Sequence, residues 1–292
     1  MKIAAHIGVK DEIELIEPCI AHLRRIGVTS FIVCEMQSTD GTAEWVAAQR
    51  SETFRVLQSS NAEPGMDWLR RNEAAARTCG ADWLVFADAD EFILPEGGSL
   101  AEALTAATAD VVRVPRFNVP LGPDGPRLPL PLPPESYAGV DLIVRAIPDF
   151  RTQLRVNPSL PWIRAVPVPK VIVRPQKIGT LIDGMHDVLP LPGQALTRAL
   201  AQNIVTAHLP FSTEARFARK IENIREVFRH HDSYMGANLG WHWRRWLELA
   251  DRGEISGEFD RTRFSMDTIE ALRREGIIMS AADVLSGGLV LE

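Results

Sequence analysis

The tightest constraint on this chain sits at residues 83–92. Trp83-Leu84-Val85-Phe86-Ala87 is an apolar run of strand length, and Asp88-Ala89-Asp90-Glu91-Phe92 follows it directly. A run that is apolar at successive positions has no polar face to offer water. It therefore predicts a strand covered on both sides, as in a parallel sheet. Sheets of that kind bind their ligands where the strands end. Two carboxylates spaced by one residue at such an end are poor core residues and good oxygen ligands for a hard divalent cation. For an isolated Asp-x-Asp a solvated acidic turn is the plainer explanation, so the rest of the chain has to decide.

The first 115 residues alternate strand and helix. Lys2 to Val9 reads as strand one. Ile13, Ile16, Ile20 and Leu23 share a helical face, and Gly27 is a plausible stop. Ser30 to Cys34 is strand two. Ser38, Thr39 and Asp40 offer N-caps for a helix running through Gln49. Phe54 to Leu57 is strand three, Met66 to Cys79 a helix, and Asp82 to Ala87 strand four. Ser99 and Glu102 have capping-box spacing ahead of another helix, and Asp110 to Val114 is strand five. This order predicts an α/β fold with a mostly parallel sheet flanked by helices.

The pattern breaks at Pro115. Prolines recur to Pro134, which argues against helix interior and central strand and for a long functional or disordered loop, placed to border the acceptor. Lys170 to Arg174 looks like a strand. Ile178 to Leu189 offers another and carries Asp183, His186 and Asp187. Helices resume at Glu214–Arg229, Leu239–Arg252 and Met266–Arg274. The expected organisation is a catalytic domain over 1–210 and a C-terminal helical appendage over 211–292. In Trp241-His242-Trp243-Arg244-Arg245-Trp246 an amphipathic packing face is the plainer expectation, and peripheral membrane contact is left open.

Of the 292 residues, 46% are hydrophobic and 24% charged, the balance of an ordinary globular protein. The net charge of −6 argues against nucleic acid as a partner. No apolar stretch reaches the roughly 18 residues of a membrane span. The start, Met1-Lys2-Ile3-Ala4-Ala5-His6, lacks a signal-peptide layout. Cys19, Cys34 and Cys79 are odd in number and match no zinc spacing, so the expectation is a reducing cytoplasm without disulfides.

Several of these segments together resemble the family-2-like glycosyltransferases of the GT-A fold. Lys10-Asp11-Glu12 after strand one is similar to their opening acidic pair. Glu35-Met36-Gln37-Ser38-Thr39-Asp40-Gly41-Thr42 is similar to their acid-rich turn after strand two, with Glu where Asp is usual. Arg71-Asn72 stands where they carry Arg-Asn, and Asp88-Ala89-Asp90-Glu91-Phe92 matches their Asp-x-Asp-Glu-Phe form. Ala207-His208-Leu209-Pro210, with Phe217 and Lys220, is similar to a late stretch of one bacterial branch.

The resemblance implies a GT-A, Rossmann-like sheet and inverting transfer of a sugar. The donor would be a nucleotide-diphosphate sugar, with a UDP-sugar favoured. The acceptor would be a glycan, a lipid-linked molecule or a small molecule. It implies Mn²⁺ or Mg²⁺ held by Asp88 and Asp90, with His186 or else His208 completing the shell. Asp11, Glu12 and Glu35 are placed to accept hydrogen bonds from ribose or base, Arg71 to meet the diphosphate, and Asp88 to touch the donor. Asp183, Asp187 and Glu91 are the candidates for the base. Two other classes stay open. A nucleotidyltransferase would carry a better phosphate loop than Ile7-Gly8-Val9-Lys10. A non-catalytic sugar-nucleotide-binding protein would turn nothing over.

Overall fold

A computed structural model describes the chain except residues 61, 64, 134–135, 232–239 and 290–292; for 65, 66, 183 and 231 it describes the backbone alone. The first part follows the expected alternation: β1 (Ile3–Val9), α1 (Ile13–Arg25), β2 (Ser30–Glu35), α2 (Thr42–Ala48), β3 (Phe54–Gln58), α3 (Gly65–Arg77) and β4 (Trp83–Asp88). Strand β1 lies between β2 and β4, parallel to both, and β3 continues the sheet beyond β2. All of β4 except Asp88 is buried, as its unbroken apolar sequence requires. Helix α1 covers one side with Leu15, Ile16, Cys19, Ile20 and Leu23. The capping box forms: Ser99 Oγ accepts from the Glu102 amide at the start of α4 (Leu100–Thr105).

Beyond β4 the connections become long-range. Strand β5 (Glu91–Pro95) leaves the main sheet after the two-residue turn Ala89-Asp90. Strand β6 (Val111–Val114) returns to it, and β7 (Arg116–Asn118) belongs to a second sheet. The proline-rich segment is thus not all loop. Three residues fit between Pro115 and Pro120 as a central strand, and β8 (Leu121–Gly122) with β9 (Gly125–Pro126) makes a small hairpin. After β10 (Asp141–Ile143) and α5 (Phe150–Val156), strand β11 (Lys170–Val173) inserts between β4 and β6, antiparallel to both. The Ile178–Leu189 stretch is a hairpin of β12 (Ile178–Leu181) and β13 (Val188–Pro190). Strand β14 (Arg198–Leu200) completes a seven-stranded sheet in the order β14-β6-β11-β4-β1-β2-β3. The fold is mixed α/β with a large, mostly parallel sheet flanked by helices.

The second sheet has the order β16-β10-β7-β15-β5, with β15 at Ile204–His208 and β16 at Ile278–Ser280. Helices α6 (Glu214–His231), α7 (Trp241–Asp251), α8 (Ile255–Thr262) and α9 (Met266–Arg274) follow β15. They pack around Phe211, Phe217, Trp246 and Phe259, the last not foreseen as helical. Trp246 is buried here, as its amphipathic spacing predicts. Because β16 pairs with β10, the C-terminal region is sewn back into the body of the protein. Among the described residues no helix is long and apolar enough to cross a membrane. Cys19, Cys34 and Cys79 are free thiols.

Candidate functional site

Two turns shape the carboxyl end of the main sheet. After β1 the chain bends through Asp11, a non-glycine residue at φ 53°, a backbone state that needs outside support. The turn after β2 supplies that support. Ser38 Oγ accepts from the Asp11 amide at 2.9 Å, and Asp11 Oδ1 accepts from the Thr39 amide at 2.6 Å. Thr42 Oγ1 and Asp40 Oδ2 accept from the amides of Glu12 and Ile13. Glu35, 1% exposed, folds back to accept from the Ser38 amide at 2.6 Å. The acid-rich turn thereby braces the first turn, and Glu35 acts from within it.

Helix α6 closes over this end. Arg216 is buried in its first turns and binds Glu12 through Nε (2.5 Å) and Nη2 (2.8 Å), Asp90 through Nη2 (2.7 Å), and the Leu209 carbonyl through Nη1 (3.0 Å). One turn later Lys220 reaches Asp90 at 3.4 Å. Burial works against the Asp90 charge, but Lys220 and Arg216 outweigh it and hold the carboxyl far below the ordinary range. Glu12 shifts the other way: its burial is only partly offset by Arg216.

A second ionic layer lies behind the first. Glu91 is fully buried between Arg116 and Lys170, and its Oε2 accepts from the Asp88 amide at 2.9 Å. Lys170 also donates to Asp88 Oδ2 at 2.9 Å and to the Gly184 carbonyl at 2.8 Å. Burial would discharge this lysine, but Asp88 and Glu91 outweigh it and raise its pKa. Asp88 itself keeps half its side chain in the open.

His208, on β15 beside Asn118 on β7, has a fixed tautomer. Asn118 Nδ2 donates to the carbonyls of Ile163 and Ala165, so Asn118 Oδ1 is the acceptor facing His208 Nδ1 at 2.7 Å. The ring proton sits on Nδ1. Nε2 keeps its lone pair, 3.9 Å from Asp90 Oδ1. Burial, helped by Arg116, holds the ring neutral.

Between these walls lies an open cleft of ≈ 280 Å³, lined by Lys10, Asp11, Glu12, Asp88, Asp90, His208, Arg216 and Lys220, with Trp243 from α7 at its side. Of the residues singled out from sequence, the structure brings Asp11, Glu12, Asp88, Asp90 and His208 to this cleft. Others lie outside its lining. Arg71 is engaged by Glu63 and the Gln58 carbonyl. Asp187 pairs with Arg198 at 3.3 Å. His186 donates from Nδ1 to the Pro169 carbonyl at 3.0 Å, and its pKa is lowered to about 4 by burial, with Lys170 and Arg116 adding to it. The Asp183 side chain lies outside the described residues. Glu91 is fully buried behind the cleft, held by Arg116 and Lys170.

Of the cations that organise the site, Arg216 and Lys170 escape sequence reasoning as site residues, while Arg116 belongs to the proline-rich segment expected to border the acceptor and instead pairs with Glu91. Arg216 and Lys220 are spaced i, i+4 beside the apolar stripe of Phe217, Ile221 and Ile224, a charged pair at the edge of a buried face. That is the one local hint available.

The donor set does not fit the divalent cation that the resemblance implies. Among the described residues, no three His, Cys, Asp or Glu side chains come together as a set that could hold a metal ion. Asp88 and Asp90 instead spend oxygens on Lys170, Arg216 and Lys220.

No family model matches the chain, and no curated protein sequence matches it. Solved structures with a likeness include residues 1–349 of TarS from S. aureus, 14% identical over 94% of this chain and 92% of that one, TM-score 0.38. The same protein in complex with UDP-GlcNAc aligns at 13% identity and TM-score 0.39 over the same shares. Glucosyl-3-phosphoglycerate synthase from Mycobacterium tuberculosis, in complex with phosphoglyceric acid, is 15% identical over 78% of this chain and 79% of its own, TM-score 0.35. Likenesses this distant bear on neither the activity nor the ligand of this chain.

Proposed function

We propose that the protein is a glycosyltransferase that moves a sugar from a nucleotide-diphosphate donor, a UDP-sugar by preference, to an acceptor hydroxyl with inversion. One observation carries the proposal: Asp11, Asp88 and Asp90 share a single cleft with Lys10 and Lys220 at the ends of three strands that run in the same direction. Carboxylates accept hydrogen bonds from sugar hydroxyls, and ammonium groups meet phosphate oxygens. Strand ends of an open α/β sheet are where such a ligand sits.

The chemistry asks for few groups. The acceptor oxygen attacks the anomeric carbon from the side opposite the diphosphate. The bond from that carbon to the phosphate oxygen breaks, and its electron pair leaves with the diphosphate. Single displacement inverts the centre. The acceptor proton needs a lone pair facing the cleft, and His208 Nε2 offers one, with Asp90 close enough to steady the imidazolium that forms. The acceptor belongs to the class of glycans, lipid-linked molecules and small hydroxyl compounds.

The test is donor hydrolysis. A panel of UDP-, GDP-, ADP- and CMP-sugars is incubated without acceptor, and nucleotide release is followed. Slow release from one nucleotide-diphosphate sugar, lost in Asp88→Ala, supports the proposal. A protein that binds such sugars without releasing nucleotide, with or without acceptor, is the non-catalytic alternative.

A further inference from the structure

We infer that the cleft binds the donor's diphosphate without a divalent cation, with the ammonium groups of Lys220 and Lys10 meeting its charge; this rests on the donor class proposed above. A cation bridging Asp88 and Asp90 to a diphosphate needs carboxylate oxygens open to it and a negative local field. The protein spends one oxygen of each carboxylate on its own cations, and those cations offset the negative field. Asp88 Oδ2 takes Lys170 at 2.9 Å, and Asp90 Oδ2 takes Arg216 at 2.7 Å and Lys220 at 3.4 Å.

Two of these cations cannot step aside. The Lys170 side chain is 2% exposed and is fixed further by the Gly184 carbonyl and by Glu91. Displacing it from Asp88 would take the nearer of two carboxylates from a buried charge, which costs more than losing a surface pair. Arg216 is equally buried and is shared among Glu12, Asp90 and the Leu209 carbonyl. A metal entering between Asp88 and Asp90 would meet Lys170, Arg216 and Lys220 at close quarters, and like charges in a partly buried site repel strongly.

The remaining pair is built differently. Lys220 is 26% exposed, lines the cleft and holds Asp90 over a longer distance than Arg216 does, so its ammonium can turn to a ligand. Lys10 enters from the end of β1. Its Nζ donates to the neutral carbonyls of Met36 and Gln37, with Glu226 at 3.3 Å, which leaves much of its charge for an anion in the cleft. Asp88, half open, remains to accept hydrogen bonds from the donor's hydroxyls. Charge neutralisation, the work of a metal in such a site, passes to fixed and mobile ammonium groups of the chain.

The test is titration calorimetry with UDP and GDP, and with inorganic pyrophosphate as a base-free probe, in excess EDTA and in excess Mn²⁺. The expected result is one affinity in both, within about threefold. Lys220→Ala should weaken binding roughly tenfold or more in either condition, the worth of one charge-assisted contact, while Lys220→Arg keeps most of it. Binding seen only with Mn²⁺, or a Lys220→Ala variant that binds like the parent, overturns the inference and leaves the glycosyltransferase proposal standing. Failure of every nucleoside diphosphate and of pyrophosphate in both conditions overturns the donor class itself.

Discussion

Two buried carboxylates in this protein have nearly the same surroundings and opposite prospects. Asp90 is held by Arg216 and Lys220. Glu258, in α8, is held by Arg245 at 2.9 Å and Arg261 at 2.6 Å, and takes the Trp246 indole N–H at 3.3 Å. Each acid is almost out of solvent, and each satisfies two cations. Asp90, however, lies at a strand end beside an open cleft, with a neutral histidine lone pair and a turnable lysine at hand. Glu258 is enclosed by the helices it ties together. A saturated buried acid is therefore structural by default, and access to a cleft is what turns the same chemistry toward a ligand.

The largest effect is expected at Arg216. Replacing it with Met leaves Glu12 and Asp90 buried without their shared partner, which should cost on the order of 3–5 kcal/mol in urea unfolding. Parent-like stability would mean that α6 is not fastened through this residue.

Acid comes next. His242, against Trp246 and Trp162, has its pKa lowered to about 3 by burial, with Lys220 and Arg116 contributing. The unfolded chain binds the proton at the ordinary histidine value near 6.5, so stability must fall as pH drops below 6.5 and go on falling toward the folded value. The share of His242 in the loss between pH 7 and pH 4.5 should be roughly 2–3 kcal/mol, and His242→Phe should make that limb of the urea-midpoint profile shallower by about that amount. An unchanged limb in His242→Phe would place the acid sensitivity elsewhere, first among the buried His6 and His22.

A smaller loss is expected at Glu258. Glu258→Gln keeps the shape and drops the charge between two partly exposed arginines, for about 1–3 kcal/mol in unfolding. Nucleotide affinity should not move. A fall in affinity would join the two acid centres and dissolve the contrast between them.

Much of the first region was legible because its signals are local. The run at Trp83–Ala87, the apolar face of α1 and the Ser99 cap each declare themselves within a few residues. What was not legible depends on partners far along the chain. Lys170 lies in a strand foreseen from its sequence, but only the insertion of β11 beside β4 brings it to Asp88, 82 positions away. Glu91 read as a third acid of the motif; as the first residue of β5, antiparallel to β15, it turns inward to Arg116. Arg71 looked free for a diphosphate because nothing in its own helix marks Glu63 as its partner. The central strand β7 hid between two prolines, where three residues are too few to show a period.

The most direct test of the cleft as a donor site is the melting temperature of three proteins, the parent, Asp88→Ala and Glu258→Gln, against a panel of nucleoside diphosphates and their sugar conjugates. The expected result is that at least one nucleotide-diphosphate sugar raises the melting temperature of the parent and, by the same increment, that of Glu258→Gln from its lower start, while Asp88→Ala does not respond. Equal responses in all three, or a nucleotide response lost in Glu258→Gln and kept in Asp88→Ala, would contradict the placement of the donor in this cleft.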